Sequence, residues 1–119
     1  MPQTVYVVEE DSSIRNVLEL ILADAGYTIL TFENFKGLKT QLKQMLPNLI
    51  LMDMTLRDGD GVAFCESLKS TTLTSKIPVL MMSAHFVLNP KEEIPCADGF
   101  ISKPFDIADL LAEIGKYVS

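Results

Sequence analysis

The chain has 119 residues, 48% of them hydrophobic, which suits one domain around a single core and leaves no room for a second. A formal net charge of −6 and a pI of about 4.6 argue against a general phosphate-backbone binding role, and no apolar run is long enough to cross a bilayer. No basic stretch precedes an apolar one at the amino terminus, and Cys65 and Cys96 lack metal-ligand spacing. The expectation is therefore a soluble cytoplasmic protein with free thiols that binds neither nucleic acid nor membrane.

Apolar runs at 5–8, 28–32, 49–52, 79–82 and 100–101 predict five strands, and their weak in/out alternation implies a sheet covered on both faces. Between the first two runs, Ile14, Val17, Leu18, Ile21, Leu22 and Ala25 follow the spacing of one helical face, with Gly26 where a C-terminal cap belongs. A second helix is predicted through Phe35, Leu38, Leu42 and Met45, and a third through Phe64, Cys65 and Leu68. Pro90 and Pro95 break the segment 86–97 and leave at most a short fourth helix. The last helix carries Ile107, Leu110, Leu111, Ile114 and Val118 behind Asp106, an N-cap residue with Asp109 three positions on. No repeat or linker interrupts the pattern. Alternating strands and helices predict a parallel sheet with right-handed crossovers, so all strand C-terminal ends share one edge. Ligands of such sheets bind outside those ends, where strand order reverses.

Five groups converge on that edge. Glu9 and Glu10 follow the first strand, Asp53 ends the third, Ser83 ends the fourth and Lys103 ends the fifth. Crowded carboxylates repel unless a cation, a proton or solvent relieves them. Carboxylate oxygens suit a hard divalent cation, magnesium first, with manganese as the substitute. A carboxylate nucleophile beside such an ion, with an ammonium and a hydroxyl for the phosphoryl oxygens, is a phosphoryl-transfer site making an aspartyl phosphate. The ordinary reading of Glu9, Glu10 and Asp11 is a solvated helix start favoured by the helix dipole. Asp58 and Asp60 are read as shaping the glycine-containing turn rather than binding metal.

The set and its order resemble the receiver domain of two-component response regulators, of the chemotaxis-regulator type, with residues 1–119 as one receiver domain. The matching pieces are VVEEDSSIR with its acid pair and Arg15, DMTLRDGDG around Asp53, SA at 83–84 and KPF at 103–105. The resemblance implies the flavodoxin-like receiver fold, an α/β doubly wound five-stranded parallel sheet of order 2-1-3-4-5. It further implies that Asp53 accepts a phosphoryl group from a histidine kinase or phosphotransfer protein. Glu10 and Asp53 would hold magnesium directly, Glu9 through water, and Thr55 by its backbone carbonyl. Ser83 and Lys103 would hold the phosphoryl oxygens, with Ser83 and Phe100 moving together as the switch. Ala84 and His85 would form the lip of the site, and the Lys103–Pro104 bond would be cis. The only catalysis implied is the chain's own phosphorylation and dephosphorylation, so it is not an enzyme in the usual sense. An output partner or domain would read the switch, and the family's pairing through the fourth helix, fifth strand and fifth helix extends the expectation to a homodimer.

The chain departs from the family pattern at several points. Glu10 stands where aspartate is usual, Arg57 where proline is common, and Phe100 lacks the hydroxyl of the commoner tyrosine. The glutamate and the altered fourth-helix region support an alternative, a pseudo-receiver acting as a phosphorylation-independent protein-interaction module. A flavin-binding protein fits the topology, but EEDSS places acids where a flavin phosphate needs a neutral cradle of N–H groups.

Overall fold

Along the chain the elements are β1 (Thr4–Val8), α1 (Ser12–Asp24), β2 (Thr28–Phe32), α2 (Phe35–Leu42), β3 (Leu49–Asp53) and a small hairpin, β4 (Thr55–Leu56) with β5 (Gly59–Asp60). There follow α3 (Gly61–Ser70), β6 (Val79–Ser83), α4 (Pro90–Glu93), β7 (Gly99–Ser102) and α5 (Ile107–Gly115). This is a computed structural model, and it describes residues 2–84 and 90–118. The main sheet is parallel with the order β2-β1-β3-β6-β7, which is 2-1-3-4-5 when only its own strands are counted.

The central strands β1, β3 and β6 read as apolar runs because each of their faces meets helices, whereas the edge strand β2 leaves Thr28 and Leu30 exposed. Tyr6, Val8, Ile50, Met52, Val79 and Met81 face Phe35 and Leu38 of α2 and Cys65 and Leu68 of α3. Their neighbours Val5, Val7, Leu49, Leu51, Leu80 and Met82 face Leu18 and Leu22 of α1 and Leu110 and Ile114 of α5. Fully burying each such side chain stabilises the fold by about 1.5–3 kcal/mol. Cys65 and Cys96 are free thiols, and burial, with Cys96 beside it, pushes the Cys65 pKa well up and makes it a packing residue.

The loops are closed by named side chains. Asp11 caps α1, its Oδ1 accepting from the N–H groups of Ser13 (2.8 Å) and Ile14 (3.1 Å). At the other end Gly26 adopts φ +98°, and Tyr27 N–H reaches Leu22 O while Gly26 N–H reaches Ala23 O, the paired bonds of a Schellman stop. Asp106 caps α5 through Asp109 N–H, as its position predicts. The second helix is shorter than the periodicity suggests. It ends at Leu42, beyond which the N–H of Gln44 makes the tighter i→i−3 bond to Gln41 O that Met45 N–H shares, ahead of Pro47, and Met45 is left 54% exposed.

The hairpin after Asp53 has no counterpart in the periodicity. Its residues Thr55 and Leu56 pair antiparallel with Asp60 and Gly59 across a turn at Arg57 and Asp58. Asp58 does not merely shape that turn. Its carboxylate accepts from Phe35 N–H (3.2 Å) and Lys36 N–H (3.1 Å), tying the hairpin to the start of α2, while Asp60 caps α3 through Val62 N–H (2.9 Å). Gly61 then folds back against the strand end, its N–H 2.6 Å from Met54 O. A Cβ there would stand 2.4 Å from Asp53 O, so only glycine permits the approach. The fourth helix is the single turn Pro90–Glu93, within the short limit set by the prolines.

Candidate functional site

The parallel register delivers the expected groups to one edge. Met52 lies opposite Val8, Asp53 opposite Met82, and Ser83 opposite Ser102. Glu9, next after β1, is 2% exposed with its N–H on Phe32 O (2.9 Å), and Ser83 at the end of β6 is 3% exposed. Lys103 N–H donates to Ser83 O (2.8 Å), carrying the β6–β7 ladder one residue into the site. From there the Lys103 ammonium bridges two carboxylates, Glu9 Oε1 and Asp53 Oδ2, the latter at 2.7 Å. Burial works to lower the Lys103 pKa, but the hydrogen bonds and charges of Asp53 and Glu9 outweigh it and raise it above the ordinary lysine value. Lys103 is a fixed cation at neutral pH. The bond that follows it, Lys103–Pro104, is cis.

The acid pair is positioned through its backbone. Arg15 Nη1 donates to the carbonyls of Glu9 (2.7 Å) and Glu10 (3.1 Å) from one turn into α1. The Glu10 carboxylate meets Arg57 instead of Lys103, with Oε2 3.5 Å from Arg57 Nε, an ion-pair distance without hydrogen-bond geometry. That oxygen is enclosed and accepts no hydrogen bond from the described residues. Phe100 is half-buried on β7 and packs against the core on the α2/α3 side, Ala84 is exposed beyond Ser83, and Thr55 opens the hairpin in register with Asp60. His85 lies outside the described residues.

Among the described residues no three His, Cys, Asp or Glu side chains gather as a ready-made metal cluster. Magnesium does not require one, since it takes one or two carboxylates and keeps several waters. Glu10, which Lys103 does not contact, and Asp53, which shares Lys103 through Oδ2, are the two carboxylates that could take that role. Glu9, Glu10 and Asp53 against Lys103 also leave two negative charges uncompensated, apart from the exposed Arg57. An enclosed, hydrogen-bond-free Glu10 oxygen in that setting fits a hard divalent cation.

A family model described as the response regulator receiver domain matches residues 5–115. The chain belongs to that family. This receiver domain is 36% identical over 117 residues to the DNA-binding transcriptional regulator NtrC of Salmonella typhimurium, a match covering 97% of the chain and 24% of that protein. It is 32% identical over 120 residues to the phosphate regulon transcriptional regulatory protein PhoB of Escherichia coli, covering 96% of the chain and 51% of PhoB. The chain thus spans about a quarter of one relative and half of the other. Among solved structures, a putative response regulator from Chloroflexus aurantiacus superposes with a TM-score of 0.91 at 26% identity, covering 98% of each chain. The beryllofluoride-activated NtrC4 receiver domain, solved as a dimer, gives 0.86 at 26% identity over 96% of this chain and 94% of that one. The receiver domain of a Pseudomonas aeruginosa sensor histidine kinase, with magnesium in its active-site cleft, shares the fold with a TM-score of 0.87 at 19% identity, over 98% of each chain.

Sequence reasoning missed some of the residues that build this receiver site. Asp11 acts as the cap of α1, which the DSS stretch could have signalled through its Asp-then-small composition, whereas the Asp58 bonds to the start of α2 join segments 22 and 23 positions apart and have no local signal. The Arg57 contact with Glu10 has no local signal, because it joins two loops through the fold.

Proposed function

We propose that residues 1–119 act as one phosphoacceptor receiver domain that takes a phosphoryl group on Asp53 from a histidine kinase or phosphotransfer protein and so switches protein–protein contacts. The observation that carries this reading is the Lys103 ammonium bridging Glu9 and Asp53 at the edge where Ser83 is also buried. In the transfer an Asp53 carboxylate oxygen attacks phosphorus. The new O–P bond forms as the P–N bond of the donor phosphohistidine breaks, and the electron pair leaves on the imidazole. Lys103 then exchanges its Asp53 oxygen for a phosphoryl oxygen while keeping Glu9, and the Ser83 hydroxyl turns to a second phosphoryl oxygen. Phe100 follows Ser83 and passes the change to the α2/α3-side core. Magnesium, or manganese in its place, held by Glu10, Asp53 and the Thr55 carbonyl, would supply the charge neutralisation that phosphoryl transfer needs.

The chain catalyses nothing beyond gain and loss of its own phosphoryl group. Its output runs through a partner or a domain outside these residues, with a homodimer like that of the NtrC4 receiver as one form, and its place is the cytoplasm. Control of water access to the acyl phosphate is assigned from the sequence to the positions after Ser83, Ala84 and His85, of which His85 lies outside the described residues. The test is incubation with acetyl phosphate and magnesium followed by intact mass and site mapping. One phosphoryl group is expected on Asp53 and none on Asp53→Asn, whose amide is not a competent nucleophile. Undiminished labelling of the variant overturns the assignment.

The Arg57–Glu10 pair favours a second reading, the phosphorylation-independent pseudo-receiver, because it places a fixed cation beside a residue the ion needs. A folded wild type that takes no label under any divalent ion decides for that reading.

A further inference from the structure

Arg57 sits at the turn of the β4–β5 hairpin, and the hairpin's base is held on two sides. Asp58 bonds the first N–H groups of α2, and Gly61 N–H closes onto Met54 O at 2.6 Å. The backbone of Arg57 is therefore held close to the acid pair while its side chain is 94% exposed. Its Nε lies 3.5 Å from Glu10 Oε2, an enclosed oxygen that accepts no hydrogen bond from the described residues. A guanidinium and a divalent cation cannot both neutralise that oxygen at close range without repelling each other.

We propose that Arg57 is a tethered internal counter-ion that competes with the divalent cation for Glu10 and so sets the cation affinity of the site. The proposal rests on the phosphoacceptor reading only for its biological use; the competition itself is a property of the unphosphorylated protein. Because the Arg57 member of the pair is almost fully solvated and its contact lacks hydrogen-bond geometry, the grip is modest and readily released. Arg57 weakens cation binding without abolishing it, which makes occupancy respond to the cation concentration in solution.

The test is magnesium titration of the unphosphorylated protein by calorimetry, at low and high sodium chloride. The proteins are wild type, Arg57→Ala, Glu10→Gln, the double variant, and Lys116→Ala as a control for net charge, since Lys116 pairs with Glu113 in α5's last turn. Arg57→Ala is expected to bind magnesium about two- to five-fold tighter at low salt, with the gain shrinking at high salt. The gain should be lost in the Glu10→Gln background and absent in Lys116→Ala. Equal affinity of wild type and Arg57→Ala overturns the proposal, as does the same gain with Glu10→Gln present, or no magnesium binding by any variant. If the wild type takes no phosphoryl group yet Arg57→Ala tightens magnesium through Glu10, the phosphoacceptor reading falls and this one stands. Labelling of the wild type with no effect of Arg57→Ala gives the reverse.

Discussion

Lys103→Met tests the centre of the site, because it keeps the aliphatic stem and removes the charge. In the native fold the ammonium lies between Glu9, whose side chain is 3% exposed, and Asp53, at 18%. Its loss leaves two carboxylates facing each other with little solvent. Breaking a buried pair in this way costs about 3–5 kcal/mol, and the partial solvation of Asp53 favours the lower end. For a domain of this size a loss of about 3 kcal/mol lowers the Tm by about 12 °C. Urea and thermal melts at pH 7 measure it. The cost should fall when Glu9→Gln is added, since the remaining Asp53 carboxylate then has no buried like charge to repel, and one unpaired carboxylate is cheaper to bury than two facing each other. A loss below about 1 kcal/mol, or no recovery in the double variant, would show that Lys103 is not the counter-charge of these acids and refute the reasoning.

The Lys103 pKa is raised on folding, so its stabilising contribution is complete below the ordinary lysine value of 10.5 and is lost as pH rises through the folded value. The stability difference between wild type and Lys103→Met should thus be flat at neutral pH and shrink only in alkaline solution. Taking the difference removes the alkaline contribution of Tyr117, whose pKa is also raised, by burial and by Glu113. A gap that closes below pH 9 contradicts the assignment. Gly61→Ala would put a Cβ 2.4 Å from Asp53 O and 2.8 Å from Met54 O, and should cost about 1–3 kcal/mol in urea melts and slow labelling of Asp53 by shifting the strand end. Asp11→Ala removes the acceptor for Ser13 and Ile14 N–H and should cost about 1 kcal/mol, while leaving the Arg15 bonds to the acid-pair carbonyls in place.

Local pattern alone determined the five strands of the main sheet, the helices between them and the edge where the chemistry gathers, though not the β4–β5 hairpin. Apolar runs of two to five residues separated by helical periodicity pack as a parallel sheet covered on both faces, and such a sheet carries the residues after each strand to one side. Glu9, Asp53, Ser83 and Lys103 were legible as a group for that reason. The tertiary structure decided which charge meets which. Lys103 reaches Glu9 across 94 positions of chain, Asp58 caps a helix 23 positions earlier, and Arg57 meets Glu10 rather than solvent alone. The helix α2 also stops at Leu42, where the chain tightens onto Gln41 O, although its periodicity runs on to Met45. Periodicity reports the burial of a face, which a dozen neighbouring residues establish together. A single ion pair, or a cap that reaches across the fold as Asp58 does, depends on where two loops close in space, and that position is set by the packing of the whole sheet between its helices.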